Sequence, residues 1–289
     1  MHVLAVGVAT LDIINMVASY PHEDAEVRAL RHTMRRGGNA TNLLVVLSQL
    51  GHDCHWAGTI AEEPDSRLIF EDLARYHIDI SSVRQYGVGK IPTSYVILSD
   101  STGSRTIVHF RDLPEYRAED FKAIDTHIYD WIHFEGREVL ELQQMLQHLR
   151  QNDPQRPISL EVEKPREGIE RLYPYANVLL FSRAFALAHG YDHPSDLFTA
   201  VRTVNHEALL CCAWGVQGAW MQTTAGELLH EAQAVKKVVD TLAAGDVFNA
   251  GVIHGLLRNL PARRILKFAV RLAADKCAQD GLDGLAATI

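Results

Sequence analysis

The stretch Asp240-Thr241-Leu242-Ala243-Ala244-Gly245-Asp246-Val247-Phe248-Asn249-Ala250-Gly251 runs small residues directly into a helical pattern. A turn of Ala-Ala-Gly carries little side-chain bulk, so backbone N–H groups can converge on one point. The first N–H groups of the following helix have no intrahelical partner and carry a partial positive charge. Ala243, Ala244 and Gly245 are therefore a candidate anion hole. Asp246 has two readings from the residues alone. It is either a base that takes a proton from an attacking hydroxyl, or an N-cap.

Outward from this stretch, short apolar runs alternate with helical patterns. Residues 3–8, 55–60, 131–134, Ile158–Val162, 178–181 and 208–213 read as strands. Residues 39–50, 65–76, 138–150, 245–257 and 262–279 read as helices, with Gly51 a C-terminal cap and Asp65 an N-cap. This alternation predicts an α/β fold with a mostly parallel central sheet flanked by helices. Two segments break the rhythm, about 12–36 and 87–111. Each holds β-prone pieces, and the turn Asp100-Ser101-Thr102-Gly103 signals a hairpin. They predict a small β-sheet lid on a single 1–289 domain.

The 289 residues carry a net charge of -8, which argues against non-specific nucleic-acid binding. No run approaches the ~18 apolar residues that would suggest a membrane span. The N-terminus lacks a signal-peptide pattern, and the four cysteines form no CxxC pair. Free thiols in a cytoplasmic protein are the expectation. There is no GxxxxGK[ST], no GxGxxG after the first strand and no GxSxG, so a P-loop kinase, a dinucleotide dehydrogenase and an α/β hydrolase lack support.

A second glycine-rich stretch, Arg36-Gly37-Gly38-Asn39-Ala40-Thr41-Asn42, also enters a helix. Asn39 and Asn42 lie three apart on one helical face and offer donors and acceptors for a polyhydroxylated ligand. A plain loop with an asparagine cap is the alternative.

Both stretches, in this order, resemble the two signatures of the ribokinase-like (pfkB-type) carbohydrate kinases. Tyr20–Asp24, His133–Arg137, Glu161–Glu167, Cys212–Trp214 and Lys276–Gly284 resemble the ketohexokinase branch, so the similarity spans nearly the whole chain. The resemblance implies ATP-dependent phosphorylation of a ketohexose, fructose at O1, with Asp246 as base and Ala243–Asp246 as anion hole. It implies sugar contacts from Asp12, Gly38, Asn39 and Asn42, and from Asp24 across a homodimer built through the lid. Arg105 on the lid is implied near the phosphates or sugar; the residues alone also allow an ordinary solvated arginine. Arg105 and Arg137 are the cations an anionic sugar would need. Trp214, Gly215, Gly218, Asn249 and Cys277 are implied around the nucleotide, although the residues alone favour a core place for Trp214. Mg2+ is implied with ATP, Glu163 reaching it through water, and K+ near Asp240. Alternatives are a related kinase for ribose, sulfofructose, a phosphorylated ketose or a keto-deoxy acid, or a non-catalytic sugar- or nucleotide-binding regulator.

Overall fold

The alternating apolar runs assemble into one large sheet. The computed structural model describes residues 1–288. Its strands are β1 (His2–Val6), β2 (Thr10–Val17), β3 (Arg31–Gly37), β4 (Asp53–Ala57), β5 (Thr59–Ala61), β6 (Arg84–Tyr86), β7 (Lys90–Ser99), β8 (Arg105–Asp112), β9 (Trp131–Glu135), β10 (Ile158–Val162), β11 (Val178–Ser182), β12 (Leu209–Ala213), β13 (Ala219–Gln222) and β14 (Leu228–Glu231). Its α-helices are α1 (Asn39–Gln49), α2 (Ser66–Arg75), α3 (Ala118–Lys122), α4 (Val139–Asn152), α5 (Arg183–Ala188), α6 (Pro194–Arg202), α7 (Ala244–Leu257) and α8 (Ala262–Cys277).

The large sheet has the order β14-β13-β12-β11-β10-β9-β1-β4. The pairs from β12 through β4 are parallel, and β13 and β14 close one edge antiparallel. Side chains alternate across it with the period of two that a pleated strand imposes. Val3 and Ala5 of β1 join one core with α1, α7 and α8; Leu4 and Val6 join the other with α4 and α6. Each fully buried leucine in these cores contributes ~1.5–3 kcal/mol.

The lid is a second sheet of order β3-β2-β7-β8. Its β7–β8 pair is the hairpin expected around residues 100–103, while β2 and β7 run parallel. An additional parallel pair, β5–β6, splits the strand expected over 55–60 at Gly58. Asp65 is not a side-chain cap: its backbone is already helical, and its carboxylate pairs with Lys90 instead.

Helix α7 carries the decisive turn at its N-terminus, and its packing on α8 fixes where that turn points. Gly251 makes this possible, because a Cβ there would lie 2.7 Å from Ala269 Cα. Its role in the opening motif is thus helix–helix contact, well away from the turn.

Candidate active site

The two glycine-rich turns meet in one cleft of about 890 Å³ between the large sheet and the lid. Its walls are the C-terminal ends of the parallel strands, the first turns of α1 and α7, and residues of β2, β3, β7 and β8. Open α/β sheets present their ligand sites at such strand ends.

Ala243 precedes α7 with φ 65°, a left-handed conformation that a side chain disfavours. The bend turns the following peptides toward the cleft. The N–H of Ala244 bonds Thr241 O at 3.4 Å and that of Val247 bonds Ala243 O at 2.9 Å. The N–H groups of Gly245 and Asp246, at the start of the helix, remain as donors for an anion. Gly245 is exposed, and a Cβ on it would meet nothing within 4 Å.

Asp246 is in the first turn of α7 but caps nothing. Its Oδ2 accepts 2.7 Å from Asn42 Nδ2. The orientation of that amide is dictated by its other end, where Asn42 Oδ1 accepts 2.7 Å from Arg36 Nη1. Arginine has no acceptor, so the Asn42 NH2 must face Asp246. Arg36 is buried and anchored in turn by Asp72 at 2.6 Å and Thr41 at 3.0 Å. Burial, then the nearby charges of Glu163 and Glu135, push the Asp246 carboxyl well above its ordinary range, with the Asn42 bond opposing.

Asn39 and Asn249 do for a second carboxylate what Asn42 does for the first. Asn39 Nδ2 donates to Glu161 Oε2 and Glu163 Oε2, both at 3.2 Å, and Asn249 Nδ2 donates to Glu161 Oε1 at 3.0 Å. Glu161 is buried, and desolvation together with Asp246 and Glu135 raises its pKa well above the usual carboxylate value. Glu135, facing Glu161 in strand register, accepts from Val8 N at 2.9 Å and from Arg137 at 3.1 Å. Neither Glu161 nor Glu135 is singled out by the sequence reading. The signal was there: an ionisable residue inside a buried apolar strand requires compensation and is seldom incidental.

The other expected residues divide into two groups. Asp12 lines the cleft with Thr10 Oγ1 bonded to it at 2.9 Å, and Gly38 lies beside it. Arg105 reaches from the lid to Thr241 Oγ1 at 2.7 Å. Arg137 borders the cleft, but its guanidinium is committed to Glu135 and Glu115. Glu163 is a partly exposed wall residue. Asp24, Trp214, Gly215, Gly218 and Cys277 do not line this cleft. Asp24 is exposed on the loop between β2 and β3. Trp214 is buried edge-on against Trp220, which is the core reading.

Among the described residues no group of three or more His, Cys, Asp or Glu side chains is arranged to hold a metal ion by itself. The residues around Asp240 do not fit a free monovalent cation, because the Lys276 ammonium already lies 2.9 Å from Asp240 Oδ2 and Arg35 lies 3.0 Å from it.

Residues 2–286 match the model of the pfkB family carbohydrate kinases. The chain is 37% identical to ketohexokinase of Mus musculus, covering 98% of each protein. It is 25% identical to the fructosamine kinase FrlD of Bacillus subtilis, covering 88% of each. Among solved structures, ribokinase from Giardia lamblia superposes with a TM-score of 0.84 at 12% identity, over 99% of this chain and 96% of that one. Ribokinase of Arabidopsis thaliana, complexed with ribose and ATP, superposes with 0.77 at 17%, over 96% and 93%. With the matched fold, the paired turns and the buried carboxylate between them, the chain belongs to the pfkB family of carbohydrate kinases and is an ATP-dependent sugar kinase.

Proposed function

We propose that this kinase phosphorylates a ketohexose, fructose at O1, with Asp246 as the general base. The observation that carries this reading is the Asp246 carboxylate, buried beside the free N–H groups of Gly245 and Asp246 and aimed by Asn42. Support for fructose comes from the 37% identity to a ketohexokinase across nearly the full chain. A neutral sugar is further favoured because Arg137, a cation that an anionic sugar would need, is already neutralised by Glu135 and Glu115.

The sugar lies between Asp12, Asn39 and the turn at Asp246, under the lid. Asp246 takes the proton of the O1 hydroxyl as that oxygen bonds to the γ-phosphorus of ATP. The bond from the γ-phosphorus to the β–γ bridging oxygen breaks, leaving a sugar phosphate and ADP. The N–H groups of Gly245 and Asp246 meet the charge on the transferring group, and the lid excludes water. Arg105 brings a lid cation to the phosphates. Glu163 would help hold magnesium through water when it arrives with the nucleotide, where it would offset the phosphate charge. Positioning and electrostatics carry most of the acceleration in this type of transfer.

The lid also supports a homodimer. Tyr95, Val108 and Phe110 leave apolar surface exposed on the face of β7 and β8 turned away from the cleft. A second copy packed there would cover this surface and bring its Asp24 toward the neighbouring cleft. With no described helix long and apolar enough to cross a membrane, and four free cysteines, a cytoplasmic kinase is the setting we infer.

The test is ADP formation with MgATP against fructose, tagatose, ribose, fructose 6-phosphate and sulfofructose, using wild type and Asp246→Asn. Fructose should give the highest kcat/KM, and the variant should lose ~10²–10⁴-fold. Preference for another sugar with the same Asp246 dependence overturns the substrate. ADP formation that ignores Asp246 overturns the mechanism.

A further inference from the structure

The buried cation beneath the anion-hole turn has no place in the steps above. Lys276, in the last turn of α8, is 1% exposed. Its ammonium has three N–H donors and meets three oxygens: Asp240 O at 3.0 Å, Asp240 Oδ2 at 2.9 Å and Gln279 O at 3.5 Å. One carboxylate and two main-chain carbonyls are the kind of oxygen cage that would otherwise gather a small cation from solution. Asp240 Oδ1 accepts from Leu242 N at 2.9 Å, which sets the chain one residue before the strained Ala243. A charge placed here therefore fixes the geometry of the turn from below.

We infer that Lys276 is a built-in counter-ion: its tethered ammonium takes the position of a free monovalent cation under the 243–246 turn, and the kinase works without potassium. This rests on the reading of that turn as the anion hole. Lys276 is a positioning residue: it borders the cleft, but its ammonium is turned onto Asp240 and acts through it. A solution ion cannot join it, because Asp240 Oδ2 already faces two protein cations, Lys276 and Arg35. The tethered charge is present at every salt composition and costs no ion capture.

The experiment measures ADP formation with fructose, and thermal melting, in choline, sodium, potassium and ammonium chloride at one ionic strength. Wild type should vary less than twofold in kcat, with an unchanged Tm. A tenfold activation of wild type by potassium overturns the inference without any variant. Lys276→Ala, which opens the cage, should lose at least tenfold in kcat in choline, with smaller changes in KM. Potassium or ammonium should restore part of the rate and raise its Tm. Lys276→Met fills the same space and should lose activity without rescue. Equal responses of both variants, or a Lys276→Ala enzyme as fast as wild type in choline, overturn the inference. The Tm arms are independent of the sugar and of the anion hole. Gly245→Ala separates the two readings: an unchanged kcat there would remove the anion hole while leaving the ion response to be read from melting.

Discussion

The turn at Gly37-Gly38 and the turn at Ala243-Ala244-Gly245 face one cleft and look alike in sequence, small residues entering a helix. Their surroundings are opposite. Gly38 has φ 100°, and a Cβ there would lie 2.3 Å from Val8 O. It is a glycine because backbone already fills the space. Gly245 has ordinary φ and open space in front of it. It is a glycine because something else must come there. The first turn is packed for the protein, and the second is left empty for the reaction.

Four substitutions break or sharpen this contrast, in descending order of expected effect. Asp246→Asn should lower kcat by ~10²–10⁴-fold, yet raise Tm once the pH exceeds the raised folded-state pKa of Asp246. The folded-state pKa of Asp246 is raised, so its contribution to stability is fully present below the unfolded value, about 3.9, and is lost as pH rises through the folded value. Above that folded value the wild type holds a buried, disfavoured charge that the variant lacks. The Tm gap, followed by calorimetry, should close toward acid pH. Wild-type kcat should fall as pH drops through the same raised value, while still above the usual carboxylate range.

Gly38→Ala should destabilise by roughly 2–4 kcal/mol, combining left-handed strain with the clash at Val8 O. Denaturant unfolding reads it directly, and an unchanged midpoint would break the contrast. Gly245→Ala should do the reverse. Denaturant stability should stay within ~0.5 kcal/mol, while the intruding methyl lowers kcat by ~10–100-fold, or ~1.4–2.7 kcal/mol of barrier. Ala243→Gly is the smallest. Relief of strain at φ 65° is offset by unfolded-chain entropy, leaving a change under ~1 kcal/mol and near-normal activity.

The same contrast explains what could be read in the sequence. Asp246, its turn and the two asparagines of α1 were legible because each belongs to a local pattern of a few residues. The parallel sheet was legible because fully buried strands are continuous apolar runs. Glu161 was passed over as a member of a strand and Glu135 as the residue after one, each quoted only within a block of resemblance, and their meaning appears only where β9 and β10 align them. A second task of Asn42 was hidden for a related reason. Three residues after Asn39 it looks like a free ligand group, yet its amide also joins Arg36 to Asp246. Asp24, Trp214, Gly215, Gly218 and Cys277 rested on likeness to other sequences, with no spacing signal that placed them at this cleft. The edge pair β13–β14 is short and weakly patterned, and only its pairing with β12 defines it. Lys276 sits within an amphipathic helix, where nothing in the spacing separates a buried lysine from an exposed one.

The hydrogen bond between Asn42 and Asp246 joins positions 204 residues apart. A ribosome adding ~5–20 residues per second needs roughly 10–40 s to travel that distance. For all that time the growing chain carries half of the cleft and lacks the proposed base. With Asp246 as that base, nascent protein stays silent toward ATP until synthesis is nearly finished, and a premature stop before α7 yields a product unable to squander the nucleotide.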